Sequence, residues 1–183
     1  MVRPIFLYGQ PVLRIKAKEI SIDYPQLSET IKDMFDTMYN AKGVGLAAPQ
    51  IGLSIRLFVI DTIPFYEESD KSKGITKVFI NPVMLEEYGQ EWPFEEGCLS
   101  IPGLNAEVDR TTHIKLQYQD ENFNQHTEIF DEMNARVIQH EYDHIEGVLF
   151  LQKINPMRRQ LFNGKLNKIR KGQVEAKYPV KPV

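Results

Sequence analysis

The chain has 183 residues, 42 % hydrophobic and 26 % charged, the proportions of one globular domain rather than of a disordered or fibrous polypeptide. Its net charge of −3 gives no electrostatic reason to expect a nucleic-acid partner. No apolar run reaches the ~20 residues that a membrane-crossing helix needs.

Residues 1–22 read as extended chain and turns, and the first of them, Met-Val-Arg-Pro-Ile-Phe-Leu-Tyr-Gly-Gln-Pro, lack the apolar core and cleavage site of a signal peptide. Gln26–Tyr39 reads as a helix, with Leu27, Ile31, Met34, Phe35 and Met38 on one side. Gly43-Val44-Gly45-Leu46-Ala47-Ala48 formally matches a dinucleotide-binding pattern. That pattern needs a strand before its glycines and a helix after them, whereas here a helical pattern precedes and Pro49 follows. The nucleotide reading is therefore rejected in favour of a helix-to-strand turn with exposed main chain. Ile55–Asp61 is expected as a strand, Pro64–Gly74 as a polar loop, and Lys77–Asn81 and Met84–Tyr88 as strands broken by Pro82. Further strands are expected at Glu107–Asp109 and His113–Gln119, and a helix over Glu132–Glu146, with Asp131 as its cap and Gly147 as its stop. A short strand at Val148–Leu151 precedes a last helix opened by Asn155-Pro156. The catalytic unit is taken as residues 1–172, with 173–183 as a loosely attached tail. Strands on both sides of one central helix indicate an α+β domain.

That central helix carries His140-Glu141-Tyr142-Asp143-His144. Residues four apart on a helix share a face, so both imidazoles can reach one divalent metal. Glu141 can act as general base on a water at the metal without being a ligand. A third protein ligand is needed. Phe150 stands where one common pattern has its third histidine, and after Glu146 the only acidic residue is Glu175, in a Pro- and Lys-rich tail. The remaining candidate is Cys98, the single cysteine, in Glu96-Gly97-Cys98-Leu99-Ser100. A thiolate with two imidazoles leaves one coordination position open, as catalytic sites do. One cysteine forms no intramolecular disulfide, which together with the N-terminus points to a reducing, cytoplasmic setting.

Three segments together resemble the peptide deformylase family: GVGLAAPQ at Gly43–Gln50, EGCLS at Glu96–Ser100 and QHEYDHIEG at Gln139–Gly147. Ile145 stands where the family usually has Leu, a similar-sized apolar change. The resemblance implies antiparallel sheets packed around the central metal-binding helix, followed by a C-terminal helix. It also implies removal of the N-formyl group from the formyl-methionine of nascent polypeptides, with release of formate. Water activated at the metal would attack the formyl carbon, with Glu141 as base and then acid. The Gln50 side-chain amide and the Leu99 backbone N–H would stabilise the oxyanion. Cys98, His140 and His144 would hold Fe(II); the donor set by itself suits zinc, nickel or cobalt as well. Encounters with nascent chains at the ribosome are implied too.

Val44, Met133 and Val137 are candidate walls of a methionine slot, and main chain near Val44 and Gly45 is exposed for pairing with an extended peptide. Met133 and Val137 read equally well as ordinary core. Arg136 either approaches substrate or binds a nearby carboxylate. Glu96 and Asp143 are candidate partners for a ligand histidine; His113 and His126 are not assigned to the site. The rival reading is a zincin-like metallo-endopeptidase, which predicts a third ligand other than Cys98.

Overall fold

The computed structural model describes all 183 residues. In chain order it contains β1 (Ile5–Phe6), α1 (Leu27–Asn40), β2 (Gly45–Ala47), β3 (Leu57–Asp61), β4 (Thr76–Gly97), β5 (Asn105–Gln119), β6 (Gln125–Asp131), α2 (Glu132–Ile145), α3 (Pro156–Leu161), α4 (Asn163–Arg170) and β7 (Val180–Lys181). Five strands form one antiparallel sheet in the order β2-β3-β4-β5-β6, and β1 pairs with β7 in a separate parallel ribbon. The fold is α+β, as the sequence indicated.

Alternation along β3 explains how this sheet is covered on both faces. Leu57 and Val59 pack with Met34 and Met38 of α1, whereas Phe58 and Ile60 pack with Ala135, Ile138 and Ile145 of α2. A strand buried on both faces reads as a continuous apolar run, which is the pattern of Leu57–Ile60. The helix α2 thus lies against the sheet with Ala135, Ile138 and Ile145 fully buried. Each buried isoleucine contributes roughly 1.5–3 kcal/mol relative to exposure.

The two expected strands around Pro82 are one strand, β4, paired with β5 from Ile80 to Gly97. Pro82 is tolerated because the register shifts between Ile80 and Val83, so the missing N–H falls at an irregularity rather than in the ladder. Asn81 sits there at φ 47° and exchanges two hydrogen bonds with the Ile20 main chain, at 2.9 and 2.7 Å. Two further shifts follow, one before Glu86 and one before Glu91. The β4–β5 pair consequently serves two cores. Phe79, Ile114 and Leu116 pack under α2, while Ala106 and Val108 join Leu149–Leu151, Ile154, Leu166 and Ile169 in a third cluster. This long ribbon ends at Glu96 and Gly97, still paired with Ala106 and Asn105, and delivers Cys98 beside α2.

Several local expectations differ from the structure. Gln125–Asp131, not expected as a strand, is the sheet edge paired with β5. Phe150–Gln152 forms a single 3₁₀ turn instead of a strand, because its apolar side chains fill the third cluster from a turn. Asp131 makes no side-chain cap bond, whereas Asn155 accepts the Met157 N–H at 2.8 Å. Gly147 does stop α2, at φ 73° and close against the Arg14 backbone, where a Cβ would fall 2.8 Å from the Arg14 carbonyl carbon. Residues 173–183 are docked rather than loose: Ile5 N–H donates to Pro179 O and Leu7 N–H to Lys181 O, each at 2.9 Å. No helix is long and apolar enough to cross a membrane.

Candidate metal centre and its cavity

The middle of α2 places His140 and His144 one turn apart, and the end of β4 brings Cys98 to them. One donor atom from each of the three lies within 4.8 Å of the others, and Cys98 Sγ is 3.2 Å from His144 Nε2. His140 Nδ1 is 2.9 Å from a Glu96 carboxylate oxygen, which leaves its Nε2 for a ligand. His144 Nδ1 is buried without a partner. Burial, followed by the neighbouring His140, holds the His144 imidazole well below its ordinary pKa and so in the neutral form. Burial opposes charge on His140 as well, but the Cys98 sulfur and Glu96 outweigh it and raise its pKa. The surroundings of His140 therefore favour a positive charge at this point of the fold.

Glu141 is buried beside them, and its Oε2 has no hydrogen-bond partner. Burial pushes its carboxyl up to about 7, against the pull of His140. A buried, unpartnered carboxylate is costly, and such groups concentrate at sites of proton transfer. The Gln50 amide is oriented by its other end. Its Oε1 accepts the Ala47 N–H at 2.8 Å, which turns Nε2 toward Ser100 Oγ at 3.3 Å and Cys98 Sγ at 3.6 Å. No backbone acceptor takes the Leu99 N–H. A soft thiolate, two imidazoles, an orphaned carboxylate and an amide donor in one place fit a divalent metal with an open position.

Gln50, Cys98, Leu99, His140 and Glu141 line a cavity of about 710 Å3, together with Val44, Gly45, Met133 and Val137. The candidate metal-binding, catalytic and slot residues read from the sequence line this cavity, except His144, which is buried. Val137 also packs in the second core, so wall and core are the same surface at that position. Arg136 binds a carboxylate, its Nη1 donating to Glu96 at 2.9 Å, and it also lines the cavity. Asp143 does not reach a ligand histidine and instead accepts from Arg110 Nη1 at 2.8 Å. His113 stacks on Tyr88 and His126 pairs with Asp120, both away from the site.

The family model described as Polypeptide deformylase matches residues 2–160.

The chain belongs to the peptide deformylase family.

A peptide deformylase of Flavobacterium psychrophilum is 52 % identical over 190 residues, covering 100 % of this chain and 98 % of that one. The peptide deformylase of Christiangramia forsetii is 50 % identical over 188 residues, covering 99 % and 96 %. Among solved structures, the peptide deformylase of Thermus thermophilus superposes with a TM-score of 0.83 at 39 % identity, covering 94 % of this chain and 99 % of that one. The enzyme of Legionella pneumophila gives 0.82 at 38 %, covering 94 % and 98 %. The family is one of metal-dependent enzymes. The endopeptidase reading is set aside, since relatives over the whole chain are deformylases.

Sequence reasoning missed Arg110, which organises the back of the deformylase site. Its Nε and Nη2 donate to the two Glu96 oxygens at 2.7 and 2.9 Å. Burial opposes charge on Glu96, but His140 and Arg110 hold its carboxyl well below the usual carboxylate range. The missed signal was alternation: Ala106, Val108 and Arg110 share the inward face of β5, so Arg110 had to be buried and paired. Glu96→Gln will lower metal affinity by about 10–100-fold, because His140 loses its charged partner. It will also cost about 3 kcal/mol of stability, since Arg110 and Arg136 are left facing a neutral group in a buried setting. Metal titration monitored by absorbance and denaturant melts check the two effects; unchanged metal affinity would show that Glu96 does not support His140.

Proposed function

We propose that this protein removes the formyl group from the N-terminal formyl-methionine of newly made polypeptides and releases formate. The observation that carries the reading is the convergence of Cys98, His140 and His144 with the unpartnered carboxylate of Glu141 at one apolar-walled cavity. Cys98 Sγ and one nitrogen from each of His140 and His144 would hold Fe(II), with zinc, nickel or cobalt able to substitute. Bound there, the ion would acidify water and polarise the formyl carbonyl.

The remaining work falls to the chain. Glu141 takes a proton from the attacking water and returns it to the amine nitrogen as the C–N bond breaks. Gln50 Nε2 and the Leu99 N–H donate to the carbonyl oxygen as it gains charge; losing one such donor typically costs on the order of 10² to 10³ in rate. Val44, Met133 and Val137 wall an apolar slot for the methionine side chain, and the backbone beside Gly45 is placed to pair with the peptide. Residues 1–172 form the proposed catalytic domain. Encounter with nascent chains at the ribosome and a cytoplasmic setting belong to the same proposal, supported by the substrate class and the lone cysteine.

The deciding measurement is formate release from a short formyl-Met peptide. Protein prepared anaerobically with Fe(II) will release formate, chelator-stripped protein will release none, and returning the metal will restore the reaction. The same peptide with an acetyl cap will be inert. Failure of the metal-loaded protein to release formate would overturn the reading, and hydrolysis at an internal peptide bond would replace it with a peptidase.

A further inference from the structure

Beyond α4 the chain turns back toward the catalytic residues. Glu175–Tyr178 line the same cavity as Gln50, Cys98, His140 and Glu141. The segment is anchored just past them, where β7 pairs with β1 through Ile5–Val180 and Phe6–Lys181. Between cavity wall and anchor, the Tyr178 hydroxyl donates to the Leu99 carbonyl at 2.8 Å, and its ring packs with Leu99 against the first core.

Three hydrogen bonds hold the turn that carries Leu99. The Cys98 carbonyl accepts the Ile101 N–H at 2.8 Å, and the Ser100 carbonyl accepts the Tyr8 N–H at 2.8 Å. The third is the bond from Tyr178 to the Leu99 carbonyl. The first fixes the peptide plane bearing the Leu99 N–H, and the third fixes the plane on the other side of the Leu99 α-carbon. With both planes held, the N–H cannot swing by rotation about Leu99. Tyr8 follows Leu7, whose own N–H is bonded to Lys181 O, so the returning segment, β1 and the turn form one connected set.

We propose that Tyr178 is a positioning residue for deformylation: its clasp on the Leu99 carbonyl keeps the Leu99 N–H aimed at the oxygen that gains charge. The proposal rests on the reading of that N–H as an oxyanion donor. Tyr178 acts through Leu99 and need not touch the reacting atoms. An oxyanion donor acts by being fixed in place before charge develops, so a loosened donor loses part of the 10² to 10³ that deleting it would cost.

Tyr178→Phe in the full chain, loaded with metal, separates the clasp from the packing because it keeps the ring and removes only the hydroxyl. The expected result is a fall in kcat of about tenfold with KM unchanged within about twofold, the pattern of an interaction that matters in the transition state. Metal content will match the parent, the melting temperature will fall by no more than a few degrees for the one lost hydrogen bond, and amide hydrogen exchange at Tyr8 and Ile101, whose N–H groups bond the carbonyls of the same turn, will quicken. If neither kcat nor exchange changes, there is no clasp and the proposal is overturned. Faster exchange with kcat intact would keep the clasp but remove the Leu99 N–H from the chemistry, which overturns the proposal together with that reading. A rise in KM alone would make Tyr178 a wall for substrate and overturn it as well.

Discussion

Glu141→Gln will lower kcat for a formyl-Met peptide by about 10³-fold, within the 10²–10⁴ range of general acid–base catalysis. The exchange is nearly isosteric, so the buried volume beside Gly45 is kept and only the ability to accept a proton is lost. Glu141 is 4 % exposed, and its Oε2 meets no donor, so no hydrogen bond inside the protein is broken by the change. The thermal midpoint will therefore not fall, since a buried unpaired carboxylate costs stability rather than adding it. Metal will be retained, because Cys98, His140 and His144 are untouched. Steady-state formate release, metal analysis and a thermal melt on one preparation test all three statements. Retention of more than about a tenth of parental kcat would take Glu141 out of the proton-transfer role assigned from the general acid–base range.

Gly45→Ala will cost 10²-fold or more in kcat, at a position that bears no functional group. A Cβ built on Gly45 falls 2.8 Å from Glu141 Cδ and 2.9 Å from its Cγ, with a carboxylate oxygen closer still. Gly45 is not at positive φ, so the backbone itself accepts alanine, and the close contact made by the new methyl is with Glu141. A shift of about 1 Å in a catalytic group is enough for a 10²-fold loss. The control is Gly164→Ala in α4, where an added Cβ meets nothing within 4 Å. That variant will keep full activity and gain a few tenths to about 1 kcal/mol of stability from better helix propensity. Equal activity of the two alanine variants would show that the Gly45 contact yields without moving Glu141.

Much of the site was legible because its chemistry is written in short segments. His140, Glu141 and His144 declare themselves by the four-residue helical spacing, and no context is needed to see that one face carries both imidazoles. Cys98 came by elimination among possible ligands. The helical pattern before Gly43 and Pro49 after the glycines excluded a nucleotide loop. Ile55–Asp61 marked a strand, and Asn155-Pro156 marked a helix start.

What remained hidden depends on residues far apart in the chain. Arg110 lies 14 residues from Glu96 on the opposite arm of the β4–β5 ribbon, across from Trp92 rather than Glu96, so no local pattern pairs them. Asp143 and Glu96 looked equivalent as partners for a histidine until packing gave Glu96 to His140 and Asp143 to Arg110. Gln125–Asp131 carries mixed polar side chains and becomes a strand only because β5 offers it an edge. Residues 173–183 have the composition of a loose tail, and their docking follows from the free edge of β1 and the carbonyl of Leu99. The sequence by itself determined the family, the candidate metal-binding set and the candidate acid–base carboxylate, because each is set by residue type at short spacing. Tertiary structure alone decided which charges support His140, what covers the cavity and what holds the Leu99 N–H, because those depend on segments that meet only after the chain has folded.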